Sequence, residues 1–252
     1  MKFSTFIRKL LVILFWIGLW GAVAYQIGKP LLLPSPIAVF TRILDLFSVQ
    51  KFWLITALSL TRITIGILVA ILIGILLAVL TANSVFFSDL LSPIQTITKV
   101  TPVASFIILV LIWLDRDIVP AVIAAVMVLP VVWNNVATGL KNIDRNLLEM
   151  AQVYKLNRRT RMKRIVIPSV MPFFLSATQT SIGIGWKAGI AAEVLTVPAL
   201  SIGKMISDSK TYMETIDLFA WTVVVIMISL LIEKILVASL KNVGSNYSKK
   251  VD

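Results

Sequence analysis

The side chains able to do chemistry in this chain are few, because 58% of its 252 residues are hydrophobic and only 14% are charged. Cysteine and histidine are both absent, which excludes disulfides, thiol catalysis, the usual zinc sites and a histidine base. Acids are scarce in the hydrophobic runs, where Glu193 and Glu233 both lie near run ends. They are too few for an intramembrane proton relay. We therefore predict binding chemistry, with no enzymatic activity and no cofactor bound by this chain.

Two cations interrupt hydrophobic runs, where a charge is costly and by default marks a functional site or a buried partner. Arg62 lies in the run 52–80 and Lys187 in the run 169–197. For Arg62 a second interpretation is open, in which it lies near the outer end of its span and extends to the lipid headgroups. Lys187 and Glu193 are six residues apart, so they do not face each other on one helix.

The run 169–197 is the most polar of the long runs, since it also carries serine, threonine, glutamine and several glycines. Such polarity is tolerated only where a helix is buried in protein or lines a water-filled cavity. Thr178, Ser181, Gly185 and Ala188 follow helical spacing and would form one small, polar stripe. Helix packing and the lining of a solute path are equally open interpretations of this stripe.

These side chains must be positioned by membrane-spanning helices, because mean hydropathy is +0.95 and the hydrophobic runs are long enough to cross a bilayer. A cleaved signal peptide is a competing interpretation of the first run. Its length and the lack of a clear cleavage site before Lys29 disfavour that interpretation. Six spans are predicted, at 10–27, 52–80, 103–114, 118–136, 169–197 and 216–240.

The segments between the spans also carry signals. Residues 29–51 contain three prolines and then an amphipathic pattern, which predicts a helix lying at the outer interface or packed on the protein. Residues 81–99, interrupted by Pro93, are predicted to form a short re-entrant or interfacial turn. Gly66 and Gly74 would allow close helix contact within the second span.

The net charge is +12. In a membrane protein, cationic loops set the orientation of the spans and contact anionic lipid, so we expect no nucleic-acid partner. The predicted inner segments hold 16 of the 24 Lys and Arg residues. By the positive-inside rule the protein should be a multi-pass protein of the cell membrane with both termini in the cytoplasm. A five-span form without the first run would still keep residues 140–164 inside.

The segment 140–168 is the longest polar stretch, with eight Lys or Arg against Asp144 and Glu149. Apolar residues at roughly helical intervals predict a first short helix with one apolar face. Asn157 is predicted to cap a second helix, which begins near Arg158 and ends at Pro168. We call residues 140–168 the knob, and its apolar face needs a partner. That face comprises Leu147, Leu148, Ala151, Tyr154 and Leu156.

The knob resembles the EAA loop of permease subunits of binding-protein-dependent ABC importers, a pattern of Glu-Ala-Ala, a later glycine and a final Ile-x-Leu-Pro. Glu149 begins the pattern with Met150 in an alanine place, Lys155 holds the glycine place, and the segment 165–168 supplies the end with Ile167 in the leucine place. If the bend of this family needs a positive φ at the glycine place, then either this loop bends differently or Lys155 carries backbone strain. LPSP at 33–36 and SLTRITIG at 59–66 extend the resemblance to the nitrate, sulfonate, taurine and bicarbonate branch.

The resemblance implies an all-α, type I (MetI-like) permease with six transmembrane helices, one of them an extra N-terminal helix. It implies a separate ATPase that uses ATP and magnesium, an extracytoplasmic solute-binding protein and a second permease copy. The cargo would be a small anion such as nitrate, a sulfonate or bicarbonate, or a vitamin precursor. The coupling residues would be Leu147, Leu148, Glu149, Met150, Ala151, Tyr154, Lys155, Leu156, Arg158, Ile165 and Pro168. The translocation path would include Arg62, Ser105, Thr178, Ser181, Gly185, Lys187 and Glu193.

The implied organisation has three parts. Residues 1–52 hold the first span and the amphipathic helix, residues 53–240 form the permease core with its knob, and residues 241–252 form a cytoplasmic tail. No GxxxxGK[ST] nucleotide-binding sequence is present, so ATP hydrolysis would belong to another chain. An ion-coupled secondary transporter is the alternative, since sodium sites built from backbone carbonyls leave no sequence signature.

Overall fold

The computed structural model describes the backbone of residues 2–248 and the side chains of residues 7–98 and 100–235. Within these residues the regular structure is entirely helical, as predicted. The helices are α1 (Lys2–Ile27), α2 (Pro36–Ser48), α3 (Gln50–Asn83), α4 (Val85–Val100), α5 (Val103–Leu111), α6 (Val119–Lys141), α7 (Arg145–Val153), α8 (Arg158–Arg161), α9 (Ile167–Thr196), α10 (Ile202–Thr211) and α11 (Thr215–Ser248), with a π-helical turn at Met162–Val166.

Among the residues that the structure describes, five helical segments are long and apolar enough to cross a membrane, and the number rises to six if one bent pair counts as a span. The protein is therefore a multi-pass membrane protein. The five segments are Ile7–Ile27, Gln50–Asn83, Val119–Lys141, Arg158–Thr196 and Thr215–Ile235.

The predicted third span, 103–114, is not a straight crossing helix. α5 has nine residues, a length of about 14 Å, and it is bent by 101° from the helical segment Val85–Thr98. The bend lies at Thr101, whose backbone is extended at ψ 125°, because a residue before proline avoids the helical region. The predicted turn at 81–99 is instead the end of α3 followed by α4, which contains Pro93 and is capped by Ser84.

α3, α6 and α9 form the centre of the molecule and share one buried apolar cluster. Their backbones approach closely at small residues. A Cβ atom on Gly66 would overlap the backbone of Ala121, and one on Gly74 would lie 3.0 Å from the Val132 side chain. The predicted close contact at both glycines is confirmed.

The amphipathic helix is confirmed as α2, which begins with Pro36 after the N-cap Ser35. Its Val39, Ile43 and Leu46 are buried on the protein, whereas Ile37 and Phe40 are exposed. α2 therefore packs on the protein with one apolar face and leaves apolar side chains on its exposed surface.

An ion pair joins α2 to the start of α11. The Arg42 Nε donates a hydrogen bond to the Asp217 Oδ1 at 2.5 Å, and the Arg42 Nη2 donates one to the Asp217 Oδ2 at 2.7 Å. The hydrogen bond with this carboxylate raises the pKa of the Arg42 guanidinium.

α1 lies at the periphery, and almost all of its described side chains are exposed. Its contacts concentrate near its end, where the Trp20 indole N–H donates to the Pro34 carbonyl oxygen at 3.1 Å. The same ring stacks on Phe219 at a centroid distance of 6.0 Å. Because so little of α1 is buried, it is an addition to the helical core.

Candidate functional site

The first half of the knob is α7, which Asp144 caps by accepting a hydrogen bond from the Asn146 N–H at 2.9 Å. The helix ends in a Schellman motif, in which the Leu156 N–H donates to the Ala151 carbonyl at 2.9 Å and the Lys155 N–H to that of Gln152 at 3.0 Å. Lys155 has φ +50°, a left-handed conformation that usually falls to glycine. The bend is therefore formed with a lysine in the glycine place, at a conformational cost.

The second half of the knob begins as predicted, because the Asn157 side chain accepts a hydrogen bond from the Thr160 N–H at 2.8 Å. The prediction that this helix ends at Pro168 is wrong. The chain passes from α8 through the π-helical turn directly into α9, so Arg158–Thr196 forms one span candidate of 39 residues. In the π turn the Ile167 N–H donates to the Met162 carbonyl. A proline inside an α-helix usually breaks it, and here the wider π turn directly precedes Pro168.

The knob leaves much of its predicted docking surface open. Leu147, Met150 and Tyr154 are exposed, as is Val153, which is 78% exposed and was not predicted. Its position three residues after Met150 is the helical spacing that could have identified it. Among the other predicted docking residues, Ala151 and Ile165 are buried, Leu148, Leu156 and Pro168 are half-buried, and Glu149, Lys155 and Arg158 are exposed.

At the other end of the molecule, Arg62 and Glu193 form an ion pair between α3 and α9. The Arg62 Nη1 donates to the Glu193 Oε1 at 2.7 Å, and their side chains are 15% and 0% exposed. Arg62 also lies 3.8 Å from Asp117. The interpretation of Arg62 as a headgroup-seeking residue is therefore wrong, and its buried partner is on another helix.

The Glu193 carboxylate also fixes the start of α10. Its Oε2 accepts hydrogen bonds from the Ser59 hydroxyl at 2.8 Å and from the Gly203 N–H at 3.2 Å. The Ser59 oxygen in turn accepts from the Ile202 N–H at 2.9 Å. A Cβ atom on Gly203 would overlap the backbone and Cβ of Glu193. This set of residues ties α3, α9 and α10 together. We call it the Glu193 network, and it comprises Ser59, Arg62, Glu193, Ile202 and Gly203.

A strained residue follows this network. Val197 ends α9 with φ +51° and ψ +58°, and a β-branched residue in that region is a genuine outlier. Its N–H donates to the Glu193 carbonyl at 2.9 Å. Strain of this kind persists where the surrounding contacts determine the backbone, and the Glu193 network supplies those contacts.

The polar residues of α9 divide between two faces. The predicted stripe is buried, with Thr178 and Ser181 among the buried polar side chains. A Cβ atom on Gly185 would lie 2.7 Å from Ile67 Cγ1 and 2.9 Å from Val128 Cγ2. This stripe therefore packs α9 against α3 and α6.

A second polar face of α9 is exposed, and the sequence interpretation selected only Lys187 from it. Ser176, Gln179, Thr180 and Lys187 are all exposed and recur at helical spacing. We call these four residues the open stripe. Residue size could have distinguished the two faces, because small residues favour helix packing and Gln and Lys do not. Ser105 is likewise exposed, on α5.

The geometry defines a helical membrane protein with a basic, partly apolar knob built onto a long span. The chain belongs to the family of binding-protein-dependent transport system inner membrane components, whose model matches residues 70–244. This result confirms the resemblance and the MetI-like fold class. The match begins within α3, so it leaves α1 and α2 outside.

Three relatives illustrate the similarity. The taurine transport system permease protein TauC of Escherichia coli K12 is 25% identical over 221 residues, 85% of this chain and 80% of that protein. The bicarbonate transport system permease protein CmpB of Synechococcus elongatus is 25% identical over 218 residues, 80% of this chain and 77% of that protein. The nitrate import permease protein NrtB of Leptolyngbya laminosa is 30% identical over 161 residues, 63% of this chain and 56% of that protein.

Proposed function

We propose that this protein is the membrane-spanning subunit of an ATP-driven importer for a small anion. The observation that carries the proposal is the knob, which presents exposed apolar and basic side chains and continues without a break into a membrane span. A partner that grips the knob would move the span with it. The family assignment supports this role.

The knob can transmit movement because its two halves are held differently. α7 is attached through the Schellman bend at Lys155, whereas α8, the π turn and α9 form one helical rod. Ile165, in the π turn, is 4% exposed and is anchored in the protein. A partner ATPase would bind the exposed side chains of α7, and its closure on ATP would tilt α9.

The cargo class follows from the relatives' names and from the charges of this chain. The names of the three relatives described above contain taurine, nitrate and bicarbonate, and each of these solutes carries an anionic group at neutral pH. We propose a cargo of that class here. An extracytoplasmic binding protein would deliver it, a second permease copy would complete the passage, and ATP and magnesium would be used by the ATPase subunits.

The orientation belongs to the same proposal. The knob carries eight Lys or Arg residues, and the described ones are exposed or half-buried. By the positive-inside rule it faces the cytoplasm, where ATP is available to a docked ATPase. Both termini would then lie on the same side as the knob.

Co-purification of the permease with its ATPase subunit tests the proposal. Glu149→Lys reverses a charge on the exposed side of α7, so we expect loss of the bound ATPase and of ATP-driven uptake of nitrate, taurine or bicarbonate. Asp115→Lys is the matched control, since Asp115 is also exposed but precedes the opposite end of α6. Unchanged co-purification and uptake in Glu149→Lys would contradict docking at the knob.

A further inference from the structure

Lys187 is an exposed cation deep within a membrane span. It lies 20 residues after the start of α9 at Ile167 and nine before its end at Thr196, or about 30 and 14 Å along the helix axis. An uncompensated charge at such depth is costly where it meets lipid. Its surroundings must therefore supply water or a counter-charge.

The chain itself supplies no counter-charge among the side chains that the structure describes. Arg62, the cation in the predicted run 52–80, is matched by Glu193 at 2.7 Å, whereas Lys187 takes part in none of the observed ion pairs. Glu193 faces the protein interior with 0% exposure, and Lys187 is on an exposed face. Of these two cations, Lys187 keeps its charge available for an outside partner.

Extension of Lys187 to the near membrane surface is opposed by helix geometry. Side chains on a helix tilt toward its N-terminus, which for α9 is the distant, knob end. The near end, at Thr196, lies in the opposite direction. The Cα–Cβ bond of Lys187 therefore tilts toward the knob end, which is the direction of the rest of the open stripe.

The open stripe makes that direction largely polar, although the apolar side chain of Ile184, between Thr180 and Lys187, is 37% exposed on the same side. Thr180, Gln179 and Ser176 lie seven, eight and eleven residues before Lys187 and are exposed on the same side of α9. By contrast, the exposed side chains of α3 include Leu68, Leu72 and Leu76, a surface suited to lipid. An exposed face with one cation and several hydrogen-bonding groups is suited to water.

We propose that the open stripe lines a water-filled passage and that Lys187 is the cation that attracts and holds the anionic cargo within it. This inference rests on the proposed function, and it places the second permease copy across the passage. It makes Lys187, and not Arg62, the residue that selects the charge of the cargo.

The absence of cysteine allows a test that does not require the natural cargo. Thr180→Cys introduces a single thiol into the open stripe of the permease–ATPase complex in membranes. During ATP turnover it is treated with an anionic (sulfonatoethyl) or a cationic (trimethylammonioethyl) methanethiosulfonate, and each rate is divided by the rate for a free thiol. Gly183→Cys is a second probe, because a Cβ there meets nothing within 4 Å. Leu72→Cys, 69% exposed on α3, is the lipid-facing control.

We expect both charged reagents to reach Thr180→Cys and neither to reach Leu72→Cys. The normalised rate should be about tenfold higher for the anionic reagent, since a cation in a confined passage raises local anion concentration. Adding Lys187→Gln should abolish that preference. Failure of both charged reagents to react at positions 180 and 183, or an anionic preference that survives Lys187→Gln, would overturn the inference.

Binding of the ATPase subunit, measured on the same samples, separates this inference from the proposed function. A permease that binds the ATPase but excludes the charged reagents overturns the passage and leaves the importer role intact. A permease that binds no ATPase contradicts the proposed function, and the inference that rests on it falls with it.

Discussion

At the scale of single residues, the left-handed backbone conformation of Lys155 is unfavourable for a lysine, and a substitution by glycine would remove that cost. Its φ of +50° costs an L-residue about 1–2 kcal/mol, and glycine adopts it without that cost. Lys155→Gly should therefore raise the stability of α7 by up to about 1 kcal/mol, after the entropy that glycine loses on folding. Amide hydrogen exchange of residues 145–156 measures this change.

Gln152→Gly provides the matched control for Lys155→Gly. Gln152 is an exposed residue within α7, where glycine costs about 1 kcal/mol relative to a helix former. The two substitutions should change exchange protection in opposite directions. Faster exchange in both variants would show that the left-handed bend is not where the strain lies.

The Arg62–Glu193 pair should behave as one energetic unit. Removal of one partner leaves a buried charge unmatched, and we expect Arg62→Met or Glu193→Gln to cost about 3–5 kcal/mol. The double variant should cost less than the sum by at least about 1 kcal/mol. Glutamine keeps an acceptor for the Ser59 and Gly203 donors, so the cycle isolates the charge. Unfolding in detergent measures all four forms, and additive losses would argue against the pair.

At the scale of elements, the two faces of α9 make a matched pair of glycine substitutions. Gly185→Ala places a methyl group 2.7 Å from Ile67 Cγ1, which forces α9 away from α3 and should cost about 1–3 kcal/mol. Gly183→Ala meets nothing within 4 Å and should stabilise the helix by up to about 1 kcal/mol. Thermal unfolding in detergent measures both, and equal effects would contradict the assignment of faces.

Local signals in the sequence predicted elements well where one short segment determines the structure. Asn157 defines the start of α8, because a cap needs only neighbouring backbone groups. The resemblance left two outcomes open at Lys155, a different turn or a strained left-handed residue, and the structure has the strained residue.

Features that depend on contacts between distant residues could not be predicted from local sequence patterns. The partner of Arg62 lies 131 positions away, and helical spacing on one segment cannot reveal it. Pro168 continues a helix because a π turn precedes it, which no residue type announces. The buried and open stripes of α9 have the same period, so their faces became distinct only once α3 and α6 were in place.

At the scale of the whole molecule, the charge distribution predicts which side the knob faces. In vesicles from cells lacking the ATPase, Val153→Cys should react with a membrane-impermeant maleimide only when the cytoplasmic side is outward. Asp115→Cys should react only in the opposite orientation, because it precedes the other end of α6. Both positions are exposed. Labelling of both from the same side would contradict the topology.

The two ends of α9 are held differently, which suggests that the knob receives a force from the partner and that the Glu193 network fixes the opposite end. The knob end carries the exposed docking side chains, and the opposite end is held by buried hydrogen bonds to α3 and α10. A displacement at the knob would therefore tilt α9 about a fixed end. The Arg42–Asp217 pair similarly holds α2 to α11 at its start.

Uptake by the reconstituted system tests the central claim most directly. Liposomes containing the permease, its ATPase and the binding protein should accumulate nitrate, taurine or bicarbonate only when ATP is supplied, and Glu149→Lys should abolish that accumulation. Liposomes with the permease alone should accumulate none of the three under a proton or sodium gradient. Gradient-driven uptake by the permease alone would contradict the account and identify an ion-coupled carrier.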